Sequence, residues 1–308
     1  MSPPTPPTPP ALSSPTPELS PPDARRARLL FSLFALYVIW GSTYLATRFA
    51  LGGGFPPLLM AALRFGLAGA LLYGGLRFKG APRPTARQWG GGAVMGVLLL
   101  TLGNGSVVVA QQWVASGMAA LVVGSVPLWA ALFSGLLGQW PGRAERWGLA
   151  IGFCGILVLN LGTDLRGSPW ALFALLLGPV SWAFGSVWGR RLPLAPGLMS
   201  SATQMLCASG VFLLVSTVKG EHLASLPTPR ALLAFVYLVT FGSLVAFSAY
   251  GYLLRHARPS LAMSYAYVNP VVAVLLGAGL AGESLSAAGL IAMSAILGSV
   301  VLLTRART

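Results

Sequence analysis

The sequence predicts an all-α membrane protein whose ten transmembrane helices form two five-helix units, inverted relative to one another, around a central cavity. Three observations carry this reading. Of 308 residues, 55% are hydrophobic and only 8% charged, whereas a soluble domain carries about a quarter charged residues to hydrate its surface. The apolar residues gather in continuous runs long enough to cross a bilayer. The second half of the chain also repeats features of the first at a nearly constant offset.

The runs lie near 29–50, 58–76, 89–110, 117–138, 146–162, 169–189, 198–218, 231–254, 260–281 and 287–304. A helix needs about 20 apolar residues to span the hydrocarbon core. The runs are continuously apolar rather than alternating, which favours helices over barrel strands, the other structure that satisfies its backbone in lipid. Ahead of them, residues 1–24 begin MSPPTPPTPPALSSPTPELSPPD. So much Pro, Ser and Thr cannot bury a core, so this segment reads as a disordered cytoplasmic tail. The first run is long enough to span and is not followed by a small-residue cleavage site, which argues against a signal peptide.

A net charge of +14 invites a nucleic-acid reading, but the positions of the cations matter more than their sum. With the N-terminus inside, cytoplasmic segments hold Arg25, Arg26 and Arg28; Arg77, Lys79, Arg83 and Arg87; Arg143 and Arg146; Arg190 and Arg191; Arg255 and Arg258; and Arg305 and Arg307. The outer loops hold Arg166, Lys219 and Arg230. The positive-inside rule therefore places both termini in the cytoplasm, and no nucleic-acid partner is required. Cys154 and Cys207 fall inside predicted spans and read as small reduced hydrophobes, with no disulfide or metal framework.

The repeat appears first in IWGSTYLATR, ending at Arg48, and SWAFGSVWGR, ending at Arg190. Trp40 and Trp182 stand at one offset with these arginines, 142 residues (182 − 40 and 190 − 48). PPLLMAALRFGLAGA from Pro56 lies over PGLMSSATQMLCASG from Pro196 at an offset of 140, which sets Arg64 on Gln204. SVPLWAALFSGLL lies over VNPVVAVLLGAGL at 143, which sets Pro127 on Pro270. The units are thus 29–162 and 169–304. Because five is odd, the second unit enters from the opposite face, giving a pseudo-twofold axis in the membrane plane with a shared site near the midplane.

The stretches ALYVIWGSTYLATRF, LRFGLAG, GNGSVVVAQ, SWAFGSVWG, SYAYVNPVVAVLLG and the GESLS loop after the last of these resemble EamA-type members of the drug/metabolite transporter superfamily, over essentially the whole chain after the tail. The resemblance implies a ten-helix carrier with two EamA repeats, exporting small metabolites, amino acids or toxic compounds. One departure stands out. Where the family's first repeat commonly has a Gly-Glu pair after helix four, this chain has Gly138, Gln139 and Trp140, so Glu283 has no repeat partner and reads as a loop anchor rather than half of a symmetric gate.

Candidate site residues follow from what lipid tolerates. Arg64 is the deepest cation, and an ionisable group at that depth costs about 2.5–3.5 kcal/mol on insertion scales. Two roles are open to it, snorkelling to tie helix ends together or contact with a substrate anion; Arg48, nearer its helix end, reads as a snorkelling residue. Trp40, Thr43, Asn104, Trp182, Ser186, Tyr250, Tyr265 and Asn269 are assigned to the substrate cavity, with inter-helix packing as the rival role. Tyr267 could also line it, and Tyr44, Gln111, Gln112 and Trp188, closer to helix ends, are weaker candidates. Pro270 and Pro127 are expected to kink their helices, either as hinges or as static bends. Gly92-x-x-x-Gly96 and Gly148-x-x-x-Gly152 permit close helix packing.

No carboxylate falls clearly inside a predicted span, and His222 and His256 lie in loops, which disfavours proton coupling through a buried acid. Facilitated diffusion, exchange and a relay through Glu283 stay open. An intramembrane hydrolase would need a Ser with a His base, or a metal cluster, at membrane depth, and neither set is present. The resemblance implies export of small molecules, which the inverted repeat would carry out by alternating access, and no enzyme activity, cofactor or metal is expected. Uptake or exchange on the same scaffold and a non-transporting receptor are the alternatives. The expected partners are the bilayer and a small-molecule substrate; oligomeric state is left open.

Overall fold

In a computed structural model, the described residues are 22–110, 112, 122–159, 169–281 and 287–305. Residues 1–21, Gln111 and Glu283 lie outside them, as do the sequence readings that fall there. Within the described residues every regular element is helical. Helix α1 spans Pro22–Gly52, α2 Pro57–Phe78, α3 Ala86–Ala110, α4 Val126–Leu136, α5 Arg143–Leu159, α6 Pro169–Trp188, α7 Leu198–Val218 and α8 Pro229–His256. After a single turn at Pro259–Ala262 come α9, Tyr265–Ala281, and α10, Ala287–Arg305. Helices α1, α2, α3, α7 and α8 are each long and apolar enough to cross a membrane; α4 and part of α10 are shorter apolar helices.

The helix starts obey local chemistry. Thr85 closes a capping box with Gln88 at the start of α3, and Thr228 caps α8 by accepting from the Ala231 N–H. Helix α2 begins after Pro56, which has no side chain to cap it. Its free N–H groups are met from far along the chain: the Glu221 carboxylate accepts from the backbone N–H of Leu59 at 2.8 Å and of Leu58 at 3.4 Å. Ser216 near the end of α7 donates to the same carboxylate at 3.0 Å. A negative group at a helix N-terminus also meets the positive end of the helix dipole.

Helices pair in a pattern that survives exchange of the two halves. Helix α2 runs along α7 and α5 along α10, while α1 packs on α8 and α9 as α6 packs on α3 and α4. These seams close through small residues. On α3, a Cβ at Gly92 would stand 2.7 Å from the Thr203 hydroxyl and one at Gly96 only 2.5 Å from the Gln204 carbonyl oxygen of α7. On α5, Gly148 and Gly152 admit Leu303, Ser299 and Tyr267 in the same way. Both Gly-x-x-x-Gly spacings are therefore used for close helix packing, against backbone at Gly96 and mainly against side chains on α5. The outer surface carries large apolar side chains, among them Phe31, Leu71, Leu136, Trp147, Val218 and Ile291. Exposure on that scale belongs to a lipid-facing surface.

Two stretches depart from α-helical geometry. Gly96–Gly105 in the middle of α3 and Leu238–Val245 in the middle of α8 are π-helical. They begin 142 residues apart (238 − 96), the offset that relates Trp40 to Trp182. A π turn widens the helix and shifts its carbonyls, and such turns frequently sit at functional sites.

Gly96→Val is expected to lower stability by about 1–3 kcal/mol, because the added branch meets backbone rather than a side chain that can move. Thermal unfolding in detergent reads this, with Gly90→Ala, where nothing stands within 4 Å, as a control that loses no stability because alanine is the better helix former.

Candidate functional site

At the centre of the fold α1, α6, α8 and α9 each contribute an aromatic residue. Trp40 lies 4.6 Å from Tyr265, 5.2 Å from Tyr250 and 5.6 Å from Trp182 between ring centroids, and Tyr250 touches both Trp182 and Tyr265. Edge-on and tilted arrangements predominate, as the ring quadrupoles favour.

Every polar tip in this cluster that needs a partner in lipid is met. The Trp40 indole N–H donates to the Gly242 carbonyl of the second π segment at 3.1 Å. The Trp182 indole donates to the Tyr250 hydroxyl at 2.8 Å. Ser186 donates to the Trp182 carbonyl at 2.6 Å, which leaves its oxygen to accept from Tyr250 at 2.7 Å. Gly103 of the first π segment is where Trp182 seats, since a Cβ there would lie 2.8 Å from the indole. Each half's π segment thus receives the tryptophan of the other half.

Two cavities meet this cluster, stacked along the helices. The first is lined by Trp40, Thr43, Arg64, Asn104, Trp182, Tyr265 and Asn269, with Tyr44, Thr47 and Gly242 completing its polar wall. The second is lined by Ser186, Tyr250 and Gln204, with Arg190 and Arg255 toward its end. Along α6 the first cavity takes residues 178–182 and the second 186–190; along α8 the first takes 242–247 and the second 247–255. Phe247 lines both. The first offers about 100 Å³ and the second about 460 Å³ to the centres of water-sized molecules.

Arg64 is 95% buried (5% exposed) and lines the first cavity rather than reaching the interface. Its Nε donates to Ser243 Oγ at 2.8 Å and its guanidinium stands 4.9 Å over the Phe65 ring. Among the described residues no carboxylate lines either cavity. Asn269 is 2% exposed, and its Oδ1 has no hydrogen-bond partner.

The residues assigned to one cavity from sequence are therefore divided between two, with Ser186 and Tyr250 in the second. Tyr44 lines the first cavity despite its place nearer a helix end. Tyr267 packs instead, its hydroxyl donating to the Leu149 carbonyl of α5 at 3.2 Å, and Trp188 stacks on Phe184. Gln112 is exposed and Arg48 faces outward. His256 ends α8 rather than lying in a loop, stacked on Tyr252. Pro270 lies inside α9, whereas Pro127 stands in the first turn of α4 after the turn at Gly124 and Ser125. A proline in a first turn blocks no hydrogen bond of the helix it opens, and Val122 and Val123 ahead of the turn are themselves helical. Nothing in the sequence marks the π segments or Ser243 as the partner of Arg64.

Similarity to known proteins decides the family. The profile of the EamA-like transporter family matches the chain twice, at 28–161 and 169–305. The chain belongs to the EamA-like transporter family. An uncharacterized inner membrane transporter of Escherichia coli K12, YedA, is 49% identical over 277 residues, covering 90% of each chain. Protein PecM of Dickeya dadantii is 29% identical over 276 residues, covering 87% of this chain and 90% of that one. An uncharacterized transporter of Bacillus subtilis, YvbV, is 25% identical over 288 residues, covering 90% of this chain and 92% of its own length. A crystal structure 23% identical in sequence aligns over 92% of this chain and 99% of its own with a TM-score of 0.76, which shows the shared fold. The protein is thus a multi-pass inner-membrane protein of a transporter family.

Tyr250→Phe leaves the Trp182 indole without its acceptor and Ser186 without its donor, and is expected to lower stability by about 1–3 kcal/mol. The melting temperature of the detergent-solubilised protein reads this change.

Proposed function

We propose that this EamA-like protein is a secondary carrier that exports small amphiphilic molecules across the inner membrane by alternating access. The observation that carries the reading is the stacking of two cavities on one aromatic cluster whose two tryptophans come from equivalent helices of the two halves. In this reading residues 29–162 and 169–304 are two five-helix repeats of opposite orientation, with both termini cytoplasmic, and residues 1–24 form a cytoplasmic tail. The common offset of the tryptophans and the π segments supports it, as does the exchange symmetry of the helix contacts. An in-plane pseudo-twofold axis would relate the two cavities, so that Arg64 on one side corresponds to Gln204 on the other.

Opening one cavity while the other closes requires the cluster to pass a solute between them. Trp40 and Trp182 are the gate walls in this account, each seated in the other half's π segment, and the α9 helix around Pro270 supplies the bend. Substrates are held by aromatic faces and by a few polar groups, Thr43, Asn104 and Asn269 in the first cavity and Ser186 in the second. Export is the direction that the resemblance to EamA-type carriers implies.

Trp40→Ala and Trp182→Ala are each expected to reduce substrate flux at least about tenfold while leaving membrane insertion intact. Efflux from overproducing cells first identifies substrates. Flux through reconstituted vesicles then checks the expectation, and unchanged flux in both variants would remove the tryptophans from the gate.

A further inference from the structure

We infer that the first cavity is a carboxylate site, with Arg64 as the anion anchor and Asn269 as a second polar contact, and that its ligands are small aryl or alkyl hydroxy acids. This inference rests on the carrier reading for its biological sense but not for its geometry.

The argument starts from charge. A guanidinium out of water is stable only if something meets it. Arg64 is buried, and Ser243 takes only its Nε. The face of Phe65 supplies a further, weaker attraction. The terminal nitrogens border the cavity beside Gly242, with Nη2 3.0 Å from where a Cβ on that glycine would stand. A bulkier residue at 242 would crowd the guanidinium. The absence of a side chain there leaves the forked end of Arg64 accessible from the cavity, and that end matches a carboxylate in two parallel hydrogen bonds.

The second observation is independent. Asn269 lies on α9, lines the same cavity and carries a buried oxygen with no partner. The other end of this amide meets the Tyr44 hydroxyl; buried polar atoms are nearly always satisfied, and one in the wall of a cavity is a place for a donor on a ligand. A hydroxyl beside a carboxylate supplies that donor. The remaining wall, Trp40, Phe65, Val126, Trp182 and Tyr265, suits an apolar body.

The third observation concerns the route. The second cavity carries Arg190 and Arg255 and, among the described residues, no Asp or Glu. Arginines alone thus line the path on both sides of the aromatic cluster, a field that favours a net anion and offers no countercharge to an ammonium group. The pseudo-symmetric counterpart of Arg64 is the neutral Gln204, whose Nε2 donates to Ser200 on its own helix. The anion anchor is therefore present on one side only, and the site has a polarity that its scaffold does not.

The test uses the purified full chain in detergent. Binding of 3-phenyllactate is followed through tryptophan emission, since Trp40 and Trp182 line the cavity, with neutral 3-phenyllactamide as the matched control. Saturable binding of the acid is expected, at least about tenfold tighter than the amide, and Arg64→Gln should raise the Kd of the acid by a similar factor while leaving the amide unchanged. Glutamine is the natural residue at the equivalent position 204, and a second variant, Arg64→Lys, keeps the charge without the fork and should fall between. Asn269→Ala should weaken phenyllactate more than 3-phenylpropionate, which lacks the hydroxyl. Equal affinity for acid and amide, or no saturable binding of the acid at millimolar concentration, overturns the inference, as does an Arg64→Gln protein that elutes as a single species and binds the acid as tightly as the parent. Binding with no vesicle flux would sink the carrier reading alone; flux of neutral solutes with no preference for the acid would sink this inference alone.

Discussion

The bond from the Trp40 indole to the carbonyl of Gly242 joins the leading helix of one half to a widened turn in the other. Inside lipid no water waits to replace a lost partner, so a donor at that depth must find an acceptor in protein. The acceptor exists because α8 departs from the α-helical ladder at this point. The aromatic cluster, the two cavities beside it and the placement of Arg64 next to Gly242 all depend on that local departure.

Much of this was legible in the sequence because membrane spans advertise themselves by composition. The seventh span, read as 198–218, is the helix Leu198–Val218, and most other ends agree within a few residues. In the fourth, Val122 and Val123 are helical, a turn at Gly124 and Ser125 follows and the helix resumes at Val126, while the predicted start lies outside the described residues. The central tryptophans were legible too, from their shared offset and their distance from the interfaces. The π segments were not: an i→i+5 ladder leaves no periodic trace in a run where nearly every residue is apolar. Tyr44 and Thr47 were discounted or missed because position along a span was taken as depth, whereas the cavity follows the tilt and crossing of helices. Glu221 was legible as a loop acid, but its role as a cap on α2 needed the approach of residues more than 160 apart in sequence.

The two halves share a scaffold more closely than they share chemistry. At the common offset of 142, Ser243 corresponds to Thr101. Ser243 accepts from Arg64, while the Thr101 hydroxyl oxygen is buried without a partner. Tyr44 likewise corresponds to Ser186, a hydroxyl on a ring in one half and on a single carbon in the other. Duplication fixes backbone paths and close-packed seams, since these depend on small residues at set spacings. Side chains facing the cavities are released from that constraint, and there the copies have diverged.

The carboxylate of Glu221 has a mechanical consequence. It holds the beginning of one helix and the end of another on a single point of negative charge, with the hydroxyl of Ser216 as a third fastening. Pulling these ends apart would strand amide groups and an ionised acid together, so they travel as one strut. In the alternating-access reading proposed above, this joint makes the α2 and α7 pair the frame against which the tryptophan-bearing helices turn.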